Sequence, residues 1–477
     1  MPTLLNSCYY RLPIPYSLKI AVWETLLLSN FALDPWLEGS LLHRIVGLLR
    51  TWRSGSALMT YADWIGATLV ALVLGFSPFV STTLIGVLLL ACSGFWILLT
   101  LSDDPRQESQ PLATPIHGAI FLFGVISLIA TALSPVKMAA LSGLIKLGLY
   151  LLFFAFTARL ARNPRIRSSL ITIYLLTSLP VAVYGIRQYF FGARSLATWV
   201  DPSSASADVT RVYSYLGNPN LLAGYLLPAV IWGLAAVWIW NGIFPKMLAI
   251  VTFAVNSACL VLTYSRGGWI GFVVALTAFG LLAVYWWSAR LSPFWQKFAL
   301  PLTFGVLVAL FAIAVLFVPP VRDRVSSIFA GRSDSSNNFR INVWMGAVRM
   351  IEAYPIIGIG PGNSAFNKIY PLFMTPKYSA LSAYSVLLET AVETGLIGLS
   401  VFLWFLAVTF HQGWKNLERL RNQASTEAWW LMGALAIAIG MMAHGAVDTV
   451  WYRPQVNTLW WFAVAIISSY YQNIDNR

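Results

Sequence analysis

The stretch NLLAGYLLPAVIWGLAAVWIW, residues 220–240, decides the fold class of this chain. It contains no Asp, Glu, Lys or Arg, and its length of about 20 residues is what a helix needs to cross a bilayer core of about 30 Å. Lipid cannot satisfy backbone N–H and C=O groups, so a spanning segment must be a helix or a strand of a closed barrel. Apolar residues here are continuous and do not alternate as barrel strands do. The stretch therefore predicts a transmembrane α-helix.

The composition extends this prediction to the whole chain. Of 477 residues, 58% are hydrophobic and 10% charged, and the mean hydropathy is +0.70; soluble domains carry about 25% charged residues. We expect an all-α integral membrane protein with about 12 transmembrane helices. The further candidate spans are 63–80, 83–101, 115–133, 138–157, 168–186, 244–264, 267–287, 298–318, 385–410, 429–447 and 456–470.

Basic residues predict the orientation of these spans. Connections on the side of the N-terminus carry nearly three times as many Lys and Arg as the short connections on the other side, and such residues favour the cytoplasm. We expect a multi-pass protein of the bacterial plasma membrane with both termini cytoplasmic. The chain then divides into a cytoplasmic region 1–60, helices 1 to 9 in 61–318, a long periplasmic loop 319–384, and helices 10 to 12 in 385–477.

The N-terminal region contains LLHRIVGLLRTWR, residues 41–53, with a broad apolar face flanked by arginines. This pattern is typical of an amphipathic helix lying on the anionic inner leaflet. An ordinary helix packed before the first span has the same pattern, so membrane lipid and the protein's own core are alternative partners for it.

Metal, cofactor and nucleic acid are not expected. The cysteines and histidines show no ligand spacing; they are Cys8, Cys92, Cys259, His43, His117, His411 and His444. The net charge of +13 is explained by lysines and arginines that set topology, so it does not predict a nucleic-acid partner.

A few ionisable residues fall within or at the edge of the predicted spans: Lys146, Glu389, Glu393, His444 and Asp448. Intramembrane charges are costly unless paired or hydrated, which makes them candidate functional groups. Glu389 and Glu393 share one helix face, as do His444 and Asp448. They fit ion coupling in a carrier, and equally a structural pairing between helices.

Arginines dominate the predicted outer side. Arg211, Arg266 and Arg340 would form an electropositive cavity for a phosphate or carboxylate-like anion, and contact with lipid headgroups is the alternative. Asn338 is expected to cap a loop helix running to about Ala353. Further candidate anion-binding or substrate-binding residues are Asn218 and Asn220, the turn residues Gly360, Gly362 and Asn363, whose N–H groups would face the anion, and Tyr384.

Several blocks resemble the O-antigen ligase and polymerase superfamily of bacterial membrane proteins: GNPNLLAGYL, SRGGWIG, FRINVW leading to PIIGIGPGN, and LETAVETGLIGL. The resemblance implies an anion site carried over to Arg211, Arg266 and Arg340. Ligases of this superfamily have a His-Asn pair before the L-E-x-x-x-E-x-G helix, with the histidine as base. Tyr384 and Ser385 occupy those positions here. A phenol with a free pKa near 10 is a poor base at neutral pH, which puts the ligase mechanism in doubt.

The motifs VWETLLLSNF and LSAYSVLLETAVETG resemble the cyanobacterial IctB-type proteins, which are described as bicarbonate transporters. This resemblance implies inorganic carbon accumulation, by a carrier or by a subunit assisting one together with partner membrane subunits. A glycan ligase or polymerase acting on a polyprenyl-diphosphate sugar is the alternative, and a non-catalytic scaffold is a third. The expected ligand is thus a small anion or a lipid-linked diphosphate.

Overall fold

The computed structural model describes residues 24–28, 46–103, 113–192, 211–317 and 331–472, and a few positions between 319 and 326. These residues fold into fifteen α-helices. Their bounds are α1 Arg50–Gly55, α2 Ala62–Phe76, α3 Thr82–Ser102, α4 Pro115–Leu133, α5 Lys137–Leu160, α6 Pro164–Phe191, α7 Pro219–Ile239, α8 Ile243–Leu262, α9 Arg266–Ser288, α10 Pro293–Phe317, α11 Ser335–Ala353, α12 Asn363–Ile369, α13 Val386–Asn422, α14 Ala428–Val447 and α15 Pro454–Ser469.

The predicted fold class is confirmed. Within the described residues, ten helices are long and apolar enough to cross a membrane: α2 to α9, α13 and α14. The other two predicted spans are also helices, α10 and the shorter α15. Lys137 and Pro164 begin α5 and α6 earlier than predicted, and α13 runs twelve residues past the predicted 410 to Asn422.

Two helices form the centre of the bundle. In α7 and α14, 78% and 72% of the most apolar stretch is buried inside the protein, against 28% in α3 and α8. Small residues allow this close packing: a Cβ at Gly271 of α9 would lie 2.8 Å from the carbonyl oxygen of Gly440 in α14. The peripheral helices keep apolar side chains on their outer faces, as a lipid-facing surface requires.

Charged clusters mark one end of the bundle. Asp103, which follows α3, accepts hydrogen bonds from Arg53 and Arg159. Arg167 at the start of α6 pairs with Glu427 at 2.5 Å. The opposite end, where α6, α8 and α14 finish and α7, α9 and α13 begin, is called the site end below.

The long loop covers the site end with its own core. Val343, Ala347 and Met350 of α11 pack with Phe366 and Ile369 of α12, and this core continues onto α5 and α13. The prediction that Asn338 caps α11 is wrong. The helix begins four residues earlier because the Asp334 side chain accepts from the N–H of Asn337 at 2.9 Å.

A glycine loop, defined as Gly358–Gly362, inserts into a break in α13. Gly395 has φ 68°, which interrupts that helix. Across the break, the N–H groups of Ile359 and Gly360 donate to the carbonyls of Val392 and Glu393, both at 2.9 Å. The loop therefore supplies donors to carbonyls whose helical partners are lost at the break.

Part of the predicted interfacial helix lies outside the described residues. Within 41–53, the structure describes positions 46–53, and α1 begins at Arg50. Residues 41–45 are among the positions not described, as is most of the region 1–60.

Candidate functional site

Three arginines from different elements meet at the site end. Arg211 lies eight residues before α7, Arg266 is the first residue of α9, and Arg340 lies in α11. Arg211 bonds the carbonyl of Thr263, three residues before Arg266, and a Cβ at Gly267 would lie 3.4 Å from Cβ of Asp448, the partner of Arg340, so the four groups form one cluster. The sequence places these side chains in segments far apart in the chain, and the folded loop brings them together.

Arg211 is partly buried and bonds to two neighbouring segments. Its Nε donates to the carbonyl of Thr263 at 3.1 Å and its Nη2 to Asn220 Oδ1 at 3.1 Å. Burial lowers the pKa of Arg211 to about 10, and the like charges of Arg340 and Arg266 act in the same direction against the opposing Asp448. The guanidinium thus keeps its charge at neutral pH.

Arg266 is held by the start of the loop helix. Its Nη1 donates to Asp334 Oδ1 at 2.8 Å and to Asn337 Oδ1 at 2.7 Å, while Nη2 donates to Asp334 Oδ2 at 2.5 Å. This is the two-pronged geometry in which arginine binds carboxylates and phosphates. The contact fixes the N-terminus of α11 over the N-terminus of α9.

Arg340 reaches from the loop helix into the bundle. Its Nη2 donates to Asp448 Oδ2 at 3.0 Å and its Nη1 to Ser336 Oγ at 3.1 Å. Asp448 is 1% exposed and ends α14. Arg340 Nε is buried and has no hydrogen-bond partner within the described residues. The Nε–H of this guanidinium is therefore a buried donor that a ligand or a water could satisfy.

The carboxylates change the predicted electrostatics of the site. Asp334 and Asp448 each pair with an arginine of the cluster, so three guanidinium groups and two carboxylates leave a single net positive charge among the described groups. The cluster is less electropositive than the sequence suggested. Asp448 and His444 both border Gly267, as expected for one helix face, and the Asp448 side chain also pairs with Arg340.

The two asparagines have separate local roles. Asn218 is the N-cap of α7, and its Oδ1 accepts from the N–H of Asn220 at 2.8 Å and of Leu221 at 3.4 Å. The Asn220 side chain accepts from Arg211. Asn220 therefore orients an arginine of the cluster, while Asn218 fixes the backbone beneath it.

His444 lies buried against the N-terminal turns of α9. A Cβ at Gly267 would lie 2.8 Å from His444 Cδ2, and one at Gly271 would lie 3.0 Å from His444 Cβ. These distances show why the residue after Arg266 is a glycine. Neither ring nitrogen of His444 has a hydrogen-bond partner in the described part of the chain.

The predicted turn residues face the protein itself. A Cβ at Gly360 would lie 2.5 Å from Ala140 Cβ, and one at Gly362 would lie 2.6 Å from Gly143 Cα. The N–H of Gly362 donates to Glu393 Oε1 at 2.7 Å. The partner of this N–H is thus a side-chain carboxyl oxygen of the protein itself, and Asn363 Nδ2 donates to the carbonyl of Leu381 at 2.8 Å.

The intramembrane glutamates connect the break in α13 to its surroundings. Glu389 Oε2 accepts from Thr449 Oγ1 at 3.0 Å, next to Asp448 in sequence. Glu393 accepts from the glycine loop. Both glutamates therefore take part in pairings between elements. Lys146, in contrast, is exposed on the surface of α5.

Tyr384 stands directly before the N-cap of α13, beside the arginine cluster. Its φ of 52° is unusual for a residue other than glycine, and its carbonyl accepts from Trp344 Nε1 at 3.1 Å. Burial raises the pKa of the phenol to about 12, and the negative charge of Asp448 adds to this. Tyr384 is therefore protonated at neutral pH and does not serve as a base there.

Sequence reasoning missed Asp334, Asn337 and Thr449. A signal for Asp334 was present, because Asp followed by SSNN before an apolar-periodic segment is typical of a helix N-cap. Thr449 offered no such signal, since its contact with Glu389 joins segments 60 residues apart.

Residues 248–403, about a third of the chain, match the family model described as O-antigen ligase. No curated protein matches the chain. The matched stretch includes Arg266, Arg340, the glycine loop and both glutamates, whereas Arg211 and Asp448 lie outside it. Over the segment that contains the loop, Arg266 and Arg340, this multi-pass membrane protein is similar to O-antigen ligases.

Proposed function

We propose that the protein binds the diphosphate of a lipid-linked sugar at the site end and supports its transfer to a glycan acceptor. The observation that carries this proposal is the cluster of Arg211, Arg266 and Arg340 beneath α11. Two of these arginines lie in the stretch that matches the O-antigen ligase family. A membrane-embedded bundle with a polar anion site at one end suits a substrate that has a lipid tail and a charged head.

The arginines would act on the leaving group. Glycosyl transfer from a lipid diphosphate breaks the bond between the sugar carbon and the phosphate oxygen, and negative charge grows on the departing diphosphate. Fixed guanidinium groups in a poorly hydrated site stabilise such charge. Tyr384 is protonated at neutral pH, so the proton of the acceptor hydroxyl must pass to another group.

The test uses purified protein in liposomes supplied with a lipid-linked oligosaccharide and an acceptor glycan. We expect transfer by the wild type and at least a tenfold loss in Arg266→Gln, because a charge-assisted bidentate contact contributes about 1.5–3 kcal/mol. Arg266→Lys should rescue poorly, since the planar fork is lost. Arg187→Gln, which removes an exposed arginine at the same end of the bundle, is the matched control. Full activity of Arg266→Gln in folded, inserted protein would exclude the arginine site.

Bicarbonate transport is the second candidate. It is favoured by the break at Gly395, because discontinuous helices with nearby carboxylates are typical of secondary transporters. Glu389 and Glu393 lie in the part of that helix nearest the site end. Uptake of labelled bicarbonate into the same liposomes, without consumption of lipid-linked sugar, would favour this candidate over glycan transfer.

A further inference from the structure

Asp334 occupies the place on Arg266 that a phosphate would take. Both carboxylate oxygens contact the two terminal nitrogens of the guanidinium, at 2.8 and 2.5 Å. Carboxylate and phosphate oxygens fit the same fork of donors. An anion that binds Arg266 in this manner must therefore compete with Asp334.

Of the two carboxylates in the cluster, Asp334 is the one placed to leave. Its side chain is 21% exposed, and it precedes the first turn of α11 at the edge of the site. The side chain of Asp448 is 2% exposed and also accepts from the N–H of Thr449 at 2.8 Å. When Asp334 moves off Arg266, its carboxylate can still accept from the N–H of Asn337. Displacement therefore does not leave the carboxylate without a hydrogen-bond donor.

The charge of the cluster selects the ligand that can displace it. With Asp334 bound, the described groups carry one net positive charge; with Asp334 displaced, Arg211, Arg266, Arg340 and Asp448 carry two. A diphosphate substituted on both phosphates carries about one negative charge on each. Such a dianion neutralises the two net positive charges that remain when Asp334 has been displaced. A monoanion only replaces the single charge of Asp334 by another single charge.

We propose that Asp334 is an internal competitor that holds Arg266 until a dianionic diphosphate displaces it. This rests on the proposed function, because it names the ligand class of the same arginine site. The residue thereby sets specificity: it excludes monoanions, including the single phosphate of a phospholipid headgroup, from a site that they would otherwise enter.

The test measures binding to the full-length protein in detergent by isothermal titration calorimetry. Two probes are used: dimethyl diphosphate with one methyl on each phosphate, and dimethyl phosphate, which carries a single charge. Asp334→Asn is the variant, because Asn keeps the N-cap of α11 while losing the ion pair. We expect Asp334→Asn to bind the diphosphate about tenfold tighter than the wild type and to discriminate less against the monophosphate.

Glu352→Gln is the matched control. It removes one negative charge from the exposed far end of the same helix, and should bind both probes as the wild type does. Unchanged or weaker diphosphate binding by Asp334→Asn, or equal gains in Glu352→Gln, would overturn the proposal, as would absence of diphosphate binding in every variant. The binding result and the glycan-transfer result can be told apart. Tighter diphosphate binding by Asp334→Asn without any glycan transfer would contradict the proposed function alone. Glycan transfer by the wild type without tighter binding by Asp334→Asn would contradict this inference alone.

Discussion

At the scale of single residues, the Arg340–Asp448 pair joins the loop to the bundle. The Asp448 side chain is 2% exposed and that of Arg340 is 13% exposed. Removing one partner of a buried pair leaves the other charge without compensation, which costs about 3 kcal/mol. Replacing both partners removes that penalty.

We therefore expect Arg340→Gln to lower the midpoint of thermal unfolding in detergent, and Arg340→Gln combined with Asp448→Asn to recover most of the loss. Intrinsic tryptophan fluorescence during heating is a suitable measurement. Additive losses in the double variant would show that the two side chains do not stabilise each other.

Arg211 gives the site a predicted pH dependence. Its pKa is lowered to about 10, so the guanidinium is charged at neutral pH and loses its proton as the pH rises through about 10. Affinity for dimethyl diphosphate, whose phosphates do not titrate in this range, should be constant up to about pH 9 and then fall. Arg211→Gln should bind more weakly at neutral pH and lack this fall. If the affinity fell equally in both proteins, the fall would be due to other titrating groups, such as lysines.

Part of the arginine site could be predicted from single residues of the sequence. Arg266 could be selected because an arginine at the end of an apolar span is costly, and Arg211 and Arg340 because they stand beside or within the motifs that resemble O-antigen ligases. Their partners could not, because Asp334 and Asp448 meet them only through tertiary folding of the loop. Helical spacing correctly placed His444 and Asp448 on one face, where both border Gly267, but it says nothing of a partner on another element such as Arg340.

At the scale of elements, helices were predictable and their interruption was not. Each of the twelve segments selected by hydropathy is a helix, and ten of these helices are long and apolar enough to cross a membrane, because a spanning segment must hide its backbone from lipid. Gly395 lies within the predicted span 385–410, and a single glycine there gives no hydropathy signal for the break in α13. It is visible only with the glycine loop in place, through bonds such as Gly360 N–H to the Glu393 carbonyl.

Two glycines of α5 provide a test of the docked loop. A Cβ at Gly143 would lie 1.9 Å from the carbonyl oxygen of Pro361, whereas one at Gly148 would meet nothing within 4 Å. We expect Gly143→Ala to lower thermal stability and to expose the loop to protease. Gly148→Ala should be neutral or slightly stabilising, because alanine favours helices by about 1 kcal/mol over glycine. If the two variants behaved alike, the loop would not be docked on α5.

At the scale of the whole molecule, the distribution of basic residues predicts that the site end faces the periplasm and both termini face the cytoplasm. Ser333 is exposed near the start of the loop, and Ser169 is exposed near the start of α6 at the other end. In a background with Cys8 replaced by Ser, and with Cys92 and Cys259 buried, a membrane-impermeant thiol reagent added to intact cells should label Ser333→Cys and spare Ser169→Cys. The reverse pattern would invert the topology.

The inserted glycine loop also has a consequence for biogenesis. The N-terminal part of α13, at the site end, depends on Ile359 and Gly360 for donors to its Val392 and Glu393 carbonyls, and carbonyls left unbonded in hydrocarbon are costly. A newly made α13 therefore cannot settle in its final form when it leaves the insertion machinery. It must wait until the preceding segment has folded back onto it, so that completion of this helix and docking of the loop over the arginine site are the same event.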